Sequence, residues 1–494
     1  MLVSALLAHL RESGSIAVEY RGELGATFEG FSVSSAPEQT LGRCFFVIDD
    51  RWPFESSWPR NWRDRAIGSS EDAVAAIQLA FANGASCAVL LRKWLTSEAA
   101  EKLKGHNLFV VEDSYRFYFR AGEALRKLNT GCRFTAITGS VGKTSTTAMV
   151  AHAFQSLGIS TFATQRSQNI GISVFRNISR SEGFQQAVIE VSYGACRSFV
   201  REGCFPGADV AVVTAITEAH LANADSLEEI AKVKAEVFAA SPPGGAAVIC
   251  LDAPHADLLL SRARSENRRI ITYGESTEAL IRLLSYDPAT GMVTAETEGE
   301  RMNYTLGMGG KHNALNSLAV IGVLRAHGAV NWREGLRSLA SLHPLPGRGE
   351  QLEVAISPEL RVTFVNEAYN ASPASIRAAL EAFSAAPSAS EGRRIAVLGD
   401  ILDLGSHSEA VHRSLAPIIM RAGLDGIILF GEEMGTLHEE LLNNRVGCCY
   451  FNTLEEMTAA LPALLRPDDE VLAKASNATG LAAWISANAT ISAH

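Results

Sequence analysis

Thr138-Gly139-Ser140-Val141-Gly142-Lys143-Thr144-Ser145 is the stretch on which the reading of this chain turns. Ahead of it runs Phe134-Thr135-Ala136-Ile137, apolar enough for a buried strand. Behind it, Thr146 to Phe154 carries apolar residues at helical spacing. Strand, glycine loop and helix in that order are the context of a phosphate-cradling loop. The N–H groups of such a loop converge on an anion, and the positive end of the helix dipole favours it. Lys143 is then placed to reach the β- and γ-phosphates of ATP, and the Thr144 hydroxyl to ligate Mg²⁺. Gly139, Ser140, Val141, Gly142 and Ser145 complete the expected nucleotide contacts. A full Walker pattern has a further glycine near the place that Ile137 occupies. The shorter Gly-x-x-Gly-Lys-Thr form is less specific, and an ordinary glycine turn competes with it. The flanking elements favour a nucleotide site.

Composition sets the frame around that loop. At 494 residues the chain is too long for one core, and about three domains are expected. A hydrophobic content of 47% with 20% charged residues is that of a globular soluble protein. The net charge of −10 argues against a nucleic-acid partner, which needs a basic footprint. The cysteines at 44, 87, 132, 196, 204, 250, 448 and 449 form no C-x-x-C pair and no zinc spacing, as expected of buried thiols in a reducing compartment. Met1 to Leu10 reads as an amphipathic helix rather than a signal peptide. No apolar run reaches eighteen residues, so no membrane span is expected and a cytoplasmic location is.

Three segments follow from the pattern, predicting an α/β fold. Residues 1–110 form a small N-terminal α/β domain, with strands at Cys44–Ile48 and Cys87–Leu91, a helix from Ser70 to Asn83, and a Trp-, Pro- and Arg-rich loop from Arg51 to Arg65. Residues 111–343 form a central P-loop domain on a parallel sheet. Its β-branched runs at Ala187–Val191 and Val210–Thr214 suit buried strands. Ser226 caps a helix running to Ala240, with Glu229 three residues on. Pro344-Leu345-Pro346-Gly347-Arg348-Gly349 is the clearest boundary. Residues 344–494 repeat βα units, with strands at Val362–Val365, Arg394–Leu398, Gly426–Phe430 and Glu470–Ala473, the outline of a Rossmann-like, doubly wound sheet. Gly399-Asp400 falls at a strand's carboxyl end, where ligands bind in such sheets.

Beyond the phosphate loop, a series of short stretches runs in a fixed order: the strand ending in Glu190, Ile216-Thr217-Glu218-Ala219-His220-Leu221, and Ser226 to Glu236. Gly310-Lys311-His312-Asn313-Ala314-Leu315-Asn316, Pro346-Gly347-Arg348, Tyr369-Asn370-Ala371-Ser372-Pro373 and Val397 to Gly405 continue it. In this series the chain resembles the Mur ligases, ATP-dependent enzymes of cell-wall precursor synthesis, and among them the D-alanyl-D-alanine-adding branch. The resemblance covers about residues 135 to 475.

It implies that a carboxylate attacks the γ-phosphate of ATP and that an amine then displaces phosphate from the acyl phosphate. By resemblance, Lys143, Lys234, His220 and Glu190 are the catalytic set, and Thr144, Glu190 and His220 the Mg²⁺ ligands. Lys234 matches a lysine that is carbamylated in the family. Asn313 matches an adenine-contacting position, Arg348 an arginine that approaches the phosphates, and Tyr369, Asn370 and Ser372 a loop holding the incoming amine. Without the resemblance, His220 reads as structural and Lys234 as a solvated helical lysine.

The implied partners are a small-molecule acid and amine, with D-Ala-D-Ala and a UDP-MurNAc-tripeptide as the pair the family favours and a monomer as the expected state. The departures keep two alternatives open. Asn366-Glu367 stand where the family has Asp-Asp, Ser372 replaces an Asn, and Lys474-Ala475-Ser476-Asn477 replaces Lys-Gly-Ser-Arg. Thr164 to Ser173 is a shortened form of the family's second-domain loop. Val33-Ser34-Ser35-Ala36 replaces the Asp-Ser-Arg that helps grip a uridine nucleotide. These losses also fit a paralogue joining an amino acid or amine to a different carboxylic acid in specialised metabolism, or a nucleotide-binding regulatory protein without ligase activity.

Overall fold

Short β-branched and aromatic runs fold into three separate sheets in a computed structural model that describes residues 1–14, 16–52, 66–164, 168–218, 224, 226–387 and 392–490. The first holds β1 (Val18–Arg21), β2 (Phe31–Ser32), β3 (Cys44–Phe46), β4 (Cys87–Leu91) and β5 (Leu108–Val111), in the order β1-β5-β4-β3-β2. Only β1 runs antiparallel to its neighbour. The Ser114–Leu128 helix follows, its apolar face buried through Tyr115, Tyr118, Phe119 and Leu125. Its Asp113 cap accepts from the Arg116 N–H. Each such fully buried aromatic or leucine side chain contributes about 1.5–3 kcal/mol through its removal from water. Trp52, from the start of the Trp-rich loop, is buried and donates to Ser114 Oγ at 2.7 Å. The rest of that loop, residues 53–65, lies outside the described residues.

The second sheet contains β6 (Arg133–Thr138), β7 (Thr161–Ala163), β8 (Gln186–Glu190), β9 (Val210–Val213), β10 (Ala246–Cys250), β11 (Arg269–Gly274), β12 (Ile281–Asp287), β13 (Met292–Thr297) and β14 (Glu300–Thr305). Its order is β14-β13-β12-β11-β10-β9-β6-β8-β7. From β7 to β12 neighbours are parallel; β13 and β14 extend the sheet as an antiparallel meander. β6 sits between β8 and β9, so the strand order turns there, and a crevice opens outside its carboxyl end. The phosphate loop occupies that point.

The third sheet contains β15 (Glu350–Ala355), β16 (Arg361–Asn366), β17 (Arg394–Gly399), β18 (Gly426–Phe430), β19 (Cys449–Phe451) and β20 (Glu470–Lys474), in the order β15-β16-β20-β17-β18-β19. All neighbours but the β15–β16 pair are parallel, as the doubly wound reading requires. Gly399 ends β17, and Asp400 Oδ1 accepts the Met434 N–H at 2.9 Å. All eight cysteines are free, six of them buried. Among the described residues no helix is long and apolar enough to cross a membrane.

Candidate active site

β6 is buried from Phe134 to Thr138 and delivers the phosphate loop to the Lys143–Ser156 helix. The turn is possible because Gly139 and Gly142 take φ of +152° and +81°. Space forbids a side chain as well: a Cβ on Gly139 would stand 1.9 Å from Thr214 Oγ1, and one on Gly142 2.7 Å from Asn316 Oδ1. The loop is pinned from its far side by Thr214 Oγ1, which donates to Val141 O at 2.6 Å, and by Ser140, whose Oγ accepts the Thr217 N–H at 3.0 Å. Both pins come from the segment just after β9.

Lys143 donates to Gly139 O at 2.9 Å and Ser140 O at 3.1 Å. Burial holds its pKa below the usual lysine value; Glu190 opposes the shift and Arg348 adds to it. Thr144 Oγ1 donates to Glu190 Oε2 at 2.6 Å and accepts from Arg348 Nη2 at 3.0 Å. Asn169 Nδ2 donates to the other oxygen of Glu190 at 2.7 Å. Glu190, only 3% exposed, is thus aligned on both oxygens at the end of β8. A buried carboxylate beside a threonine hydroxyl is a hard oxygen pair of the kind Mg²⁺ takes, with phosphates and water completing its shell. The cradle closed to any Cβ fits a phosphate chain in the same way. His220 lies outside the described residues; among these, no cluster of three His, Cys, Asp or Glu side chains forms a metal site alone.

A cleft of about 1560 Å³ opens over the loop and is walled by both the second and third units. Of the residues predicted for the site, Ser140 to Ser145, Glu190, Asn313, Arg348, Tyr369, Asn370 and Ser372 all line it. Arg348 also stacks on Tyr369, its guanidinium carbon 4.2 Å from the ring centre. Asn313 donates to Gly309 O at 2.7 Å. Ser372 caps the Pro373–Ala385 helix, accepting the Ser375 N–H at 3.3 Å, so its hydroxyl carries a structural bond as well.

Lys234 does not line the cleft. It is fully buried behind the loop, donating to Gly139 O at 2.9 Å with its ammonium 5.6 Å from the centre of the Tyr193 ring. Burial, then the Lys143 charge, pushes its pKa down to about 7. The solvated-lysine reading is therefore excluded.

Three groups to which the sequence assigns no role line or brace the site. Asn169 supports Glu190 from the shortened second-domain loop. Arg197 and Arg201, four apart on the Tyr193–Glu202 helix, line the cleft. Lys474 is buried and bonds Glu367 O at 3.1 Å and Asn370 O at 3.0 Å, tying down the loop that carries Tyr369. The i, i+4 spacing of the two arginines was a signal; the other two depend on partners far away in sequence.

Residues 137–324 match the Mur ligase middle domain, and residues 351–477 match the Mur ligase glutamate ligase domain. The chain belongs to the Mur ligase superfamily. It is one of that superfamily's ATP-dependent, peptide-bond-forming ligases. It is 27% identical over 426 residues to the UDP-N-acetylmuramoyl-tripeptide–D-alanyl-D-alanine ligase of Rickettsia prowazekii, covering 84% of this Mur ligase and 90% of that relative. In fold it resembles MurF from Acinetobacter baumannii, with a TM-score of 0.75, 20% identity and 98% of each chain covered. MurF from Thermotoga maritima, solved in complex with ADP, gives a TM-score of 0.69 at 22% identity, covering 93% of this Mur ligase and 96% of that chain.

Proposed function

We propose that this Mur ligase joins D-alanyl-D-alanine to UDP-N-acetylmuramoyl-tripeptide at the cleft, using ATP and Mg²⁺ and passing through an acyl phosphate. The observation that carries the reading is the Thr144 hydroxyl, held between Glu190 of the second unit and Arg348 at the edge of the third. The curated relative from Rickettsia prowazekii bears the same activity in its name, and the Thermotoga maritima MurF was solved with ADP.

When bound, ATP would supply the phosphoryl group that turns a carboxylate into an acyl donor, and Mg²⁺ would neutralise phosphate charge. The chain's own residues do the rest. Lys143 exchanges its two loop carbonyls for phosphate oxygens. Thr144 and Glu190, with His220, would hold Mg²⁺. Arg348 brings a second positive charge to the transferring group once the third unit is docked, as it is here. Tyr369 and Asn370 orient the amine, which attacks the acyl carbon; the C–N bond forms as the C–O bond to phosphate breaks, and the amine's proton passes to solvent. The walls of the cleft keep water from the acyl phosphate. Burial, then the Lys143 charge, lowers the pKa of Lys234 to about 7, which favours the uncharged amine, the form that adds carbon dioxide to give a carbamate.

The test is isotopic. With ¹⁸O in the reacting carboxylate of the tripeptide, one labelled oxygen should leave in the inorganic phosphate. Label confined to the peptide product and unreacted acid would contradict the acyl-phosphate route.

A further inference from the structure

Among the described residues, four carboxylates line the cleft: Glu190, Asp252, Glu367 and Asp403. Three are already engaged. Glu190 is held on both oxygens by Thr144 and Asn169. Asp252 accepts the N–H groups of Glu275 and Ser276 at 2.6 and 3.1 Å. Glu367 pairs with the buried Lys474 at 3.4 Å. Asp403 is exposed, and no hydrogen bond or ion pair from a described residue reaches its carboxylate.

Its backbone is unusual as well. Asp403 takes φ of +62°, and of the six described non-glycine residues with positive φ it alone lines the cleft. Glycine is the residue that such a conformation favours. The neighbours hold the turn in place. Ile401 and Leu404 are buried, the Ile401 N–H donates to His412 Nε2 at 3.1 Å, and the Leu402 N–H donates to Ser476 Oγ at 2.9 Å. An anchored loop thus presents an unpartnered carboxylate to the cleft.

That loop belongs to a wall built by three neighbouring strands. β16, β20 and β17 are adjacent and parallel, so the loops after their carboxyl ends lie side by side. They carry Tyr369 and Asn370, Ser476 and Asn477, and Asp403 in turn. Asn477 Nδ2 donates to Tyr369 O at 3.1 Å, and Ser476 holds Leu402, so the middle loop ties the outer two together. Asp403 therefore shares one wall with the pair proposed above to orient the amine.

The incoming substrate brings the charge that this carboxylate lacks. Lys474, the lysine on the same wall, is buried and already bonded to Glu367 and Asn370. An α-amino group has a pKa of about 8 and arrives at neutral pH chiefly as an ammonium. It has to be held, freed of a proton, and offset in charge as its nitrogen bonds carbon. A carboxylate that accepts its N–H serves the first and the last of these needs.

We propose that Asp403 holds the amino group of the incoming substrate, an inference that rests on the ligase reading above. Asp403 takes no proton itself. The ammonium loses one proton to solvent, the nitrogen lone pair forms the C–N bond as the C–O bond to phosphate breaks, and a second proton follows to solvent. Through these steps the carboxylate accepts an N–H hydrogen bond and offsets the positive charge on nitrogen. A hydroxyl in place of the amine brings no charge to the contact, so Asp403 also selects for amines.

Calorimetric titration of the full chain with D-Ala-D-Ala, and separately with D-lactoyl-D-alanine, in which a hydroxyl replaces the amine, tests this in the presence of ADP, Mg²⁺ and UDP-MurNAc-tripeptide. Asp403→Asn keeps the size and the tolerance of positive φ, and Asp403→Gly relaxes the backbone, so neither should lower the melting temperature. In both variants the affinity for D-Ala-D-Ala should fall at least about tenfold, while that for the hydroxyl analogue stays within about twofold. In ligation assays the loss should appear in KM for D-Ala-D-Ala, with KM for ATP unchanged. Equal D-Ala-D-Ala affinity in wild type and variants would overturn the assignment, as would a parallel loss of both ligands or no binding by the wild type. Selective loss by calorimetry in a chain that forms no joined product would uphold Asp403 and contradict the ligase reading instead.

Discussion

Arg348 Nη2 lies 3.0 Å from Thr144 Oγ1, a hydrogen bond between residues 204 apart that joins the third unit to the phosphate loop. The same guanidinium packs on Tyr369, and the same hydroxyl serves Glu190. Arg348→Ala removes a donor aimed at the transferring group, and the expected loss in kcat is about 10²–10³-fold. Arg348→Lys retains charge but not the planar stacking, and should recover only part of the rate. Steady-state phosphate release in the presence of both substrates measures it; a variant within twofold of wild type would mean that the contact is incidental.

Lys143 is held by two carbonyls and is destabilised as a cation by burial. Lys143→Ala should lower ligation by about 10³-fold or more while leaving the melting temperature unchanged or slightly raised. Near wild-type ligation by this variant would refute the phosphate-loop assignment.

Lys234 gives a pH signature. Its pKa is about 7 in the fold, whereas an unfolded lysine remains protonated to about 10. Between those values the unfolded chain holds the additional proton, so stability rises with pH through this window, and the penalty is fully present below it. In carbon dioxide-free buffer, Lys234→Met should melt above wild type near pH 6.5, with the gap closing toward about pH 10. A gap independent of pH would show that the amine is not the source. In the activity assay, Lys234→Ala should fail and be partly restored by acetate or formate; full activity without them would dismiss the carbamate.

Asn169 fixes Glu190 through a 2.7 Å bond without itself being a predicted metal ligand. Asn169→Ala should raise the Mg²⁺ concentration for half-maximal rate by about 10-fold, as loss of a ligand's supporting hydrogen bond commonly does. An unchanged Mg²⁺ titration would place Glu190 outside the metal's coordination.

The sequence made the nucleotide side of the site readable because strand, loop and helix are contiguous and their chemistry is local. The Cys87–Leu91 and Gly426–Phe430 strands were likewise legible as short apolar runs. The β12–β14 meander escaped notice: Glu296 to Arg301 is strongly charged, and half of each strand faces water. Lys234 shows the limit most clearly. It stands two residues from Lys232, which reaches Glu228 at 2.6 Å on the exposed face. A two-residue step on a helix turns to the other side, and only the packed structure shows which lysine is inside.

Ligation itself is the most direct test of the central claim. The purified chain, given ATP, Mg²⁺, UDP-MurNAc-tripeptide and D-Ala-D-Ala, should release phosphate only when both substrates are present. Mass spectrometry should then find the joined UDP-MurNAc-pentapeptide, formed with loss of one water. Phosphate release that ignores the amine, or no joined product from a protein that binds ATP, would contradict the account.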